Sequence, residues 1–322
     1  MSLHFLKYLC FILFFLSSIT NITAQELSKN YESLGACDKQ NELWEKIMAT
    51  QHDITPDMSN LGIIQLLAMS FQKLRTKSDY VSDVAPQDWK KYLHRRGAVA
   101  KVKFVSNDSH HYTGIFKGAE CALLRLSLTY EPKKSKAVAP GLALKVLRDK
   151  SPSANVSALY ALDGQERDFN FFKNSLSHIV PMGDSVGERL VHRLFKRVSL
   201  YPEVLKIDDF SKKDAKGVVS NAPKGPFQIF FVPNSEVKFA SEEHDIREDF
   251  LSIEQGTTLY SVYALETPPK KNYQYDQYSK ADISFFISKS KKIGEIITTS
   301  PFIASEFGDS RLFFRHEIHE KE

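Results

Sequence analysis

The stretch AVAKVKFV, residues 98–105, opens a series of short runs of strand-forming residues, and turn signals separate these runs. The runs do not alternate regularly with helical patterns. Many short strands in this arrangement favour a mostly antiparallel barrel or sandwich. The predicted strands are residues 98–105, 121–130, 141–148, 156–162, 227–232, 258–265, 283–287, 294–299 and 312–315.

Helical spacing of apolar residues precedes the strands in residues 38–50 and 61–75, and a breaker at 55–57 separates the two segments. A further amphipathic helix, predicted at 186–200, interrupts the strands, and its basic side is expected to be solvated. The polar, lysine-rich segment 206–224 is predicted to be a loop. The sequence therefore predicts an α+β fold, in which an antiparallel β-barrel carries N-terminal helices and an inserted helix.

The first residues have the pattern of a cleavable secretion signal. Lys7 precedes an apolar run at 8–16, and a polar stretch ends on the small residue Ala24. The run is shorter than the ~20 residues that span a bilayer, although an uncut signal anchor is the alternative. We therefore expect a signal at 1–24, a helical segment at 25–80 and a barrel domain at 81–322, exported and not integral to a membrane.

Charge and cysteine content exclude some classes of function. The formal net charge is only +4, and the basic residues are dispersed, which argues against a nucleic-acid partner. Signal cleavage would remove Cys10 and leave Cys37 and Cys121, which either pair in an oxidising compartment or remain as two thiols. Cysteine–histidine metal motifs, phosphate loops and dinucleotide fingerprints do not occur in the sequence.

Four pieces of sequence carry polar residues that could perform chemistry. They are KYLHRRGAVA at 91–100, LRLS at 124–127, GLALKV at 141–146, and SANVSALY at 153–160 followed by FNFF at 169–172. In order and spacing they resemble the barrel of the haem catalases. That family has H-x-K/R-G-A-x-A, R-F-S-T, G-F-A-V-K-F and N-N-T-P at corresponding places. The resemblance implies a barrel of the catalase type.

The resemblance also implies roles for individual residues. His94 matches the distal histidine that handles the protons of peroxide, and Asn155 matches the asparagine that orients it. Ser127 matches the serine that holds this histidine. Arg125 matches an arginine facing the propionates of a haem cofactor, and Lys91 stands where the family has another arginine. The chemistry is consistent, because an imidazole can take and return a proton near neutral pH while an amide binds the oxygen.

The chain departs from the family at the iron ligand. Catalases supply a tyrosinate from R-x-F-x-Y-x-D, but the nearest segment here, RLFFRHE at 311–317, has Arg315 at the tyrosine position. No tyrosine follows Tyr278, so the metal ligand is unknown. His316 and His319 could replace it, although a charged, frayed chain end is the better explanation for them.

Two functions therefore remain open. One is a secreted haem protein that acts on hydrogen peroxide or an organic hydroperoxide. The other is a catalase-fold binding or structural module without haem, which would hold a small apolar molecule. Two glycosylation sequons bear on the choice, at Asn107 and Asn155. A glycan on Asn155 would be incompatible with a peroxide site that contains this side chain.

Overall fold

The strand-forming runs are strands of one sheet in the computed structural model. It describes residues 31, 33–54, 83–85, 91, 94–107, 116, 119–128, 140–149, 153–160, 178–181, 228–234, 246–265, 285 and 287–314. Two α-helices have both ends within these residues, α1 (Ala36–Ala49) and α2 (Ile246–Leu251). The strands are β1 Arg96–Ser106, β2 Ala122–Leu128, β3 Pro140–Val146, β4 Ala154–Tyr160, β5 His178–Pro181, β6 Gln228–Pro233, β7 Thr258–Leu265 and β8 Lys291–Thr298.

Each strand pairs antiparallel with the next one along the chain, and β8 returns to pair with β1. In the closing pair, Val102 of β1 lies opposite Thr298 of β8. The sheet is thereby closed into a barrel, which leaves none of these strands as an open edge. The predicted antiparallel barrel is confirmed, and the helices beside it are compatible with the α+β class.

Side chains alternate between the barrel interior and its outer surface. Ala98, Ala100 and Val102 of β1 point inward and join a buried cluster drawn from every part of the barrel whose side chains are described. Phe231 and Tyr260 meet edge to face within it, with ring centroids 6.1 Å apart. The interior is thus a packed hydrophobic core.

Helix α1 covers part of the outer surface. Leu43 and Ile47 are fully buried against outward-facing residues of β1 and β2, among them Val99. A disulfide between Cys37 and Cys121 ties the start of the helix to the residue before β2. The sequence left two states open for these cysteines, and in the structure they are paired. The predicted helix at 38–50 is confirmed with its bounds shifted to Ala36–Ala49.

Two strand predictions are wrong. In the predicted strand 283–287, Phe285 and Ile287 are helical. The predicted strand 312–315 follows a π-helix, Phe307–Arg311, and Leu312 makes only an isolated bridge with Val84. Both segments are short apolar runs, which periodicity cannot assign to strand or helix. Strand β5 was not predicted, because its four residues are too few to establish a pattern.

Other predictions fall outside the described residues. They are the signal at 1–24, the helices at 61–75 and 186–200, and the loop at 206–224. Among the helices that are described, none combines the length and apolar content needed to cross a membrane.

Candidate functional site on the outer face of the barrel

The polar residues singled out in the sequence share one outer face of β2, β3 and β4. Arg125 and Ser127 lie on β2, Lys145 on β3 and Asn155 on β4. They point away from the interior because the residues that alternate with them fill the core. These interior neighbours are Leu124, Leu126, Leu144, Val146 and Val156.

His94 joins this face from the segment before β1. Its backbone has φ 51°, in the left-handed region that favours glycine. Its ring packs directly on Gly141 at the start of β3, where an added Cβ would lie 2.6 Å from Cε1 of the imidazole. Gly141 pairs in register with Ser127, which is buried. The structure therefore brings His94 and Ser127 to neighbouring positions, and it does so through a glycine that no larger residue could replace without displacing the ring.

Asn155 lies farther along the same face. It pairs in register with Lys145, whereas the ring of His94 packs on Gly141. Those two positions of β3 are four residues apart, or about 13 Å along a strand. The ring of the expected distal histidine and the backbone of the expected distal asparagine therefore lie at well separated points of this face.

A buried carboxylate, Asp309 of the π-helix, meets Arg125. Nη2 of the guanidinium donates to Oδ1 of Asp309 at 2.9 Å and to the carbonyl oxygen of Arg95 at 3.1 Å. The backbone N–H of Gly97 donates to the same Oδ1 at 2.9 Å. The side chains of Arg125 and Asp309 are only 3% and 4% exposed, so the two charges neutralise each other in a site that is largely closed to water.

Asp309 has further basic neighbours on its second oxygen. Nη1 of Arg96 and Nε2 of His52 each lie 3.5 Å from Oδ2. Asp309 could not be identified as a site residue from the sequence. An isolated acid after a glycine carries no local signal of burial, and its partner Arg125 is 184 residues away.

A second buried carboxylate, Asp83, meets Lys145. Nζ of Lys145 donates to Oδ1 of Asp83 at 2.7 Å, to Oγ of Ser153 at 3.0 Å and to Oδ1 of Asn155 at 2.9 Å. The Ser153 hydroxyl also donates to Asp83, and the Tyr31 hydroxyl donates to its other oxygen at 2.9 Å. The amide oxygen of Asn155 is therefore bound to an ammonium group of the protein itself.

The ionisation of Asp83 follows from these contacts. Burial alone would raise the pKa of this carboxyl group, but the Lys145 ammonium and three hydrogen bonds together hold the pKa below its usual range. The group is thus a carboxylate at neutral pH. The Tyr31 hydroxyl that donates to it has a raised pKa, because it is buried beside the negative charge.

Lys91 approaches the same face from the segment before β1. Its Nζ donates to the carbonyl oxygen of Gly308 at 2.7 Å and lies 5.9 Å from the ring centroid of Phe314. Nζ of Lys145 lies 5.4 Å from the same ring. Burial lowers the pKa of Lys91 well below its usual value, and the nearby Arg125 guanidinium lowers it further.

This arrangement does not fit the expected haem. The propionates would need Arg125 and Lys91, but Arg125 is bound to Asp309 and Lys91 to the carbonyl oxygen of Gly308. Phe314 lies against the two lysines on this face. The segment 307–314 thus takes up the contacts that the haem would have made.

In the part of the chain that the structure describes, no group of three or more His, Cys, Asp or Glu side chains is placed to hold a metal ion. His316 and His319 lie outside the described residues.

Comparison with known proteins provides no relative from which a role could be transferred. No family model, no curated protein and no solved structure matches the chain.

Proposed function

We propose that this chain is an exported barrel of the catalase type that does not bind haem, and that it serves outside the cytosol as a binding or structural module. The observation that carries the proposal is the buried Arg125–Asp309 pair. A propionate would have to enter a site in which the nearly inaccessible Arg125 already binds a carboxylate, which also accepts a hydrogen bond from Gly97. Breaking such a buried pair leaves an uncompensated charge, at a cost of about 3–5 kcal/mol.

The catalase-type part of the proposal is supported by where the four sequence pieces lie. They begin or enter the consecutive strands β1, β2, β3 and β4. Their polar residues Arg125, Ser127 and Asn155 share the outer face, and His94 reaches that face beside Ser127. The signal pattern at 1–24 supports the exported part.

The absence of peroxide chemistry is supported by Asn155. To orient a peroxide, its amide nitrogen would have to donate to the substrate, yet Nδ2 donates to the carbonyl oxygen of Ser153 at 3.4 Å, and the amide oxygen accepts a hydrogen bond from Lys145. Lys145 is fully buried, and its ammonium also binds Asp83 and Ser153. The residue that corresponds to the peroxide orienter is thus part of an internal ion-pair network.

A haem titration of the purified full-length chain tests the proposal. We expect the visible spectrum of added haem to remain that of haem in buffer, and hydrogen peroxide to be consumed no faster than by that haem alone. His94→Ala serves as the matched variant, because it removes the candidate acid–base group and leaves the Arg125–Asp309 pair in place. A shifted Soret band in the wild-type protein, with peroxide turnover that His94→Ala abolishes, would overturn the proposal in favour of the peroxide-processing alternative.

A further inference from the structure

The segment that follows helix α1 is hydrogen-bonded to the segment that leads into the π-helix. The backbone N–H of His52 donates to the carbonyl oxygen of Ala304 at 3.0 Å, and the N–H of Glu306 donates to the carbonyl oxygen of Thr50 at 2.9 Å. These bonds hold the end of α1 on the outer surface of the barrel, whereas the disulfide holds its start.

Beside these bonds lie two buried polar atoms, Nε2 of His52 and Oδ2 of Asp309. Neither atom has a hydrogen-bond partner among the residues that the structure describes, and the two are 3.5 Å apart. The other ring nitrogen of His52, Nδ1, faces the carbonyl oxygen of Asp53. Each nitrogen of the imidazole therefore faces an oxygen atom that can only accept a hydrogen bond.

A neutral imidazole cannot satisfy both oxygen atoms, because it carries one N–H group and one lone pair. Whichever nitrogen carries the hydrogen, the lone pair of the other nitrogen points at an oxygen. The imidazolium form donates from both nitrogens and would give Oδ2 of Asp309 a charge-assisted hydrogen bond. One additional proton thus satisfies both of the unpartnered atoms.

Other charges also act on this position. The Asp309 carboxylate binds Arg125 through Oδ1, and Nη1 of Arg96 lies 3.5 Å from its Oδ2 and 3.4 Å from Oε2 of Glu306. The guanidinium groups oppose a further positive charge, and the carboxylates favour it. Arg96 is 29% exposed and is shared with Glu306, which weakens its opposition. The charged groups on the elements packed here are Asp53, Lys91, Arg96, Arg125, Glu306 and Asp309.

We propose that His52 and Asp309 form a pH-sensitive latch, in which protonation of the imidazole fastens the end of α1 to the π-helix. Histidine ordinarily changes its charge between pH 5 and 8, so the latch is closed in mildly acidic surroundings and loosened at higher pH. Opening is confined to the end of α1, where Ile47 belongs to the same apolar cluster as Phe307, because the disulfide fixes the start. The inference goes beyond the proposed function, since it concerns how α1 is attached and not what the barrel binds.

Amide hydrogen exchange of the intact chain tests the latch at its own position. The N–H of Glu306 bridges the two segments, so its protection factor, corrected for the intrinsic pH dependence of exchange, reports opening of the end of α1. We expect this protection factor to be about fivefold higher at pH 5.5 than at pH 8, as one charge-assisted hydrogen bond in a partly exposed site would give. The N–H of Asn234, which donates to the carbonyl oxygen of Leu259, is the internal control and should show no such change.

His52→Gln is the matched variant. Its side-chain amide can donate to Asp309 at every pH but takes up no proton between pH 5 and 8. The protection factor of Glu306 should therefore become independent of pH, while that of Asn234 stays as in the wild type and shows that the variant is folded. Urea denaturation gives a second measurement, because the unfolding equilibrium constant of the variant relative to the wild type should be about fivefold larger at pH 5.5 than at pH 8.

The outcomes separate a local latch from a general effect of pH. Equal protection of Glu306 at the two pH values in the wild type overturns the inference, and so does the same pH dependence in His52→Gln. A change at Asn234 as large as the change at Glu306 also overturns it, because the whole barrel would then be responding. Protection that falls with rising pH at Glu306 alone, and in the wild type alone, supports the latch.

Discussion

At the scale of single residues, the outer face depends on Asp83 and Lys145, a pair of opposite charges with almost no exposure. Their side chains are 7% and 0% exposed. Removing two charges from water is costly, and such a pair is stable only when hydrogen bonds satisfy the remaining donors and acceptors. Here Ser153, Tyr31 and Asn155 supply those bonds. Loss of one partner should therefore lower the stability of the protein more than loss of both partners.

We predict that Asp83→Asn lowers the free energy of unfolding by about 3–5 kcal/mol, because it leaves the Lys145 ammonium buried and unneutralised. The double variant Asp83→Asn/Lys145→Met should lose less than the sum of the two single variants. Urea denaturation of the set at pH 7 measures this coupling. Lys46→Met, which breaks the partly exposed pair with Glu42, is the matched control and should cost no more than about 0.5 kcal/mol. Additive losses would contradict the buried-pair interpretation.

The same pair gives a pH dependence. The pKa of Asp83 is lower in the folded protein than in the unfolded chain, so its contribution is fully present above the unfolded value of about 4 and is lost as the pH falls further. Wild-type stability should therefore fall below pH 4, and Asp83→Asn should lack that part of the decline.

Some of these residues were predictable from sequence and others were not. Strand alternation places Arg125 and Ser127 on one face of β2 without any knowledge of the fold, whereas Asn155 of β4 joins that face only through the pairing of the strands. Asp83 and Asp309 could not be found in this way, because their partners lie 62 and 184 residues away and the contacts arise only when the barrel closes. The separation of His94 from Asn155 likewise depends on strand register.

At the scale of elements, helix α1 is held on the barrel by a covalent bond and by its apolar side. The disulfide Cys37–Cys121 closes a chain segment with a sequence separation of 84 residues. Gln40 adds a side-chain hydrogen bond to the carbonyl oxygen of Ala122 at 2.7 Å. Leu43 and Ile47 bury their side chains completely. The helix was predictable from its periodicity, whereas the cysteine pairing was only one of two possibilities.

We predict that reduction of this disulfide lowers the free energy of unfolding by about 2–5 kcal/mol. Loop-closure entropy alone gives about 4.5 kcal/mol for a loop of this length. Urea denaturation with and without dithiothreitol measures the difference. The double variant Cys37→Ser/Cys121→Ser should resemble the reduced protein and should not respond to dithiothreitol. A wild-type curve that dithiothreitol leaves unchanged would contradict the prediction.

At the scale of the whole molecule, the sequence predicted the antiparallel barrel but not how its surface is completed. Barrel architecture follows from many short strands with turns between them, a pattern repeated along the chain. Residues 312–315 were expected to be a strand, yet Leu312 makes only an isolated bridge, and the π-helix Phe307–Arg311 before it was not predicted. The π-helix carries Asp309 and the wrongly predicted strand carries Phe314, so the sequence did not reveal the residues that decide whether a haem fits.

The sequons at Asn107 and Asn155 connect the export prediction with this surface. When the full chain passes through a eukaryotic secretory pathway, we expect a glycan on Asn107 and none on Asn155. Asn107 immediately follows the last residue of β1, whereas Asn155 binds the buried Lys145 ammonium and could not carry a sugar without breaking that network. Enzymatic deglycosylation in isotopically labelled water, followed by peptide mass spectrometry, marks each occupied asparagine. Asn107→Gln should remove the modification entirely, and a mark on Asn155 of the folded protein would contradict the ion-pair network from which the function is inferred.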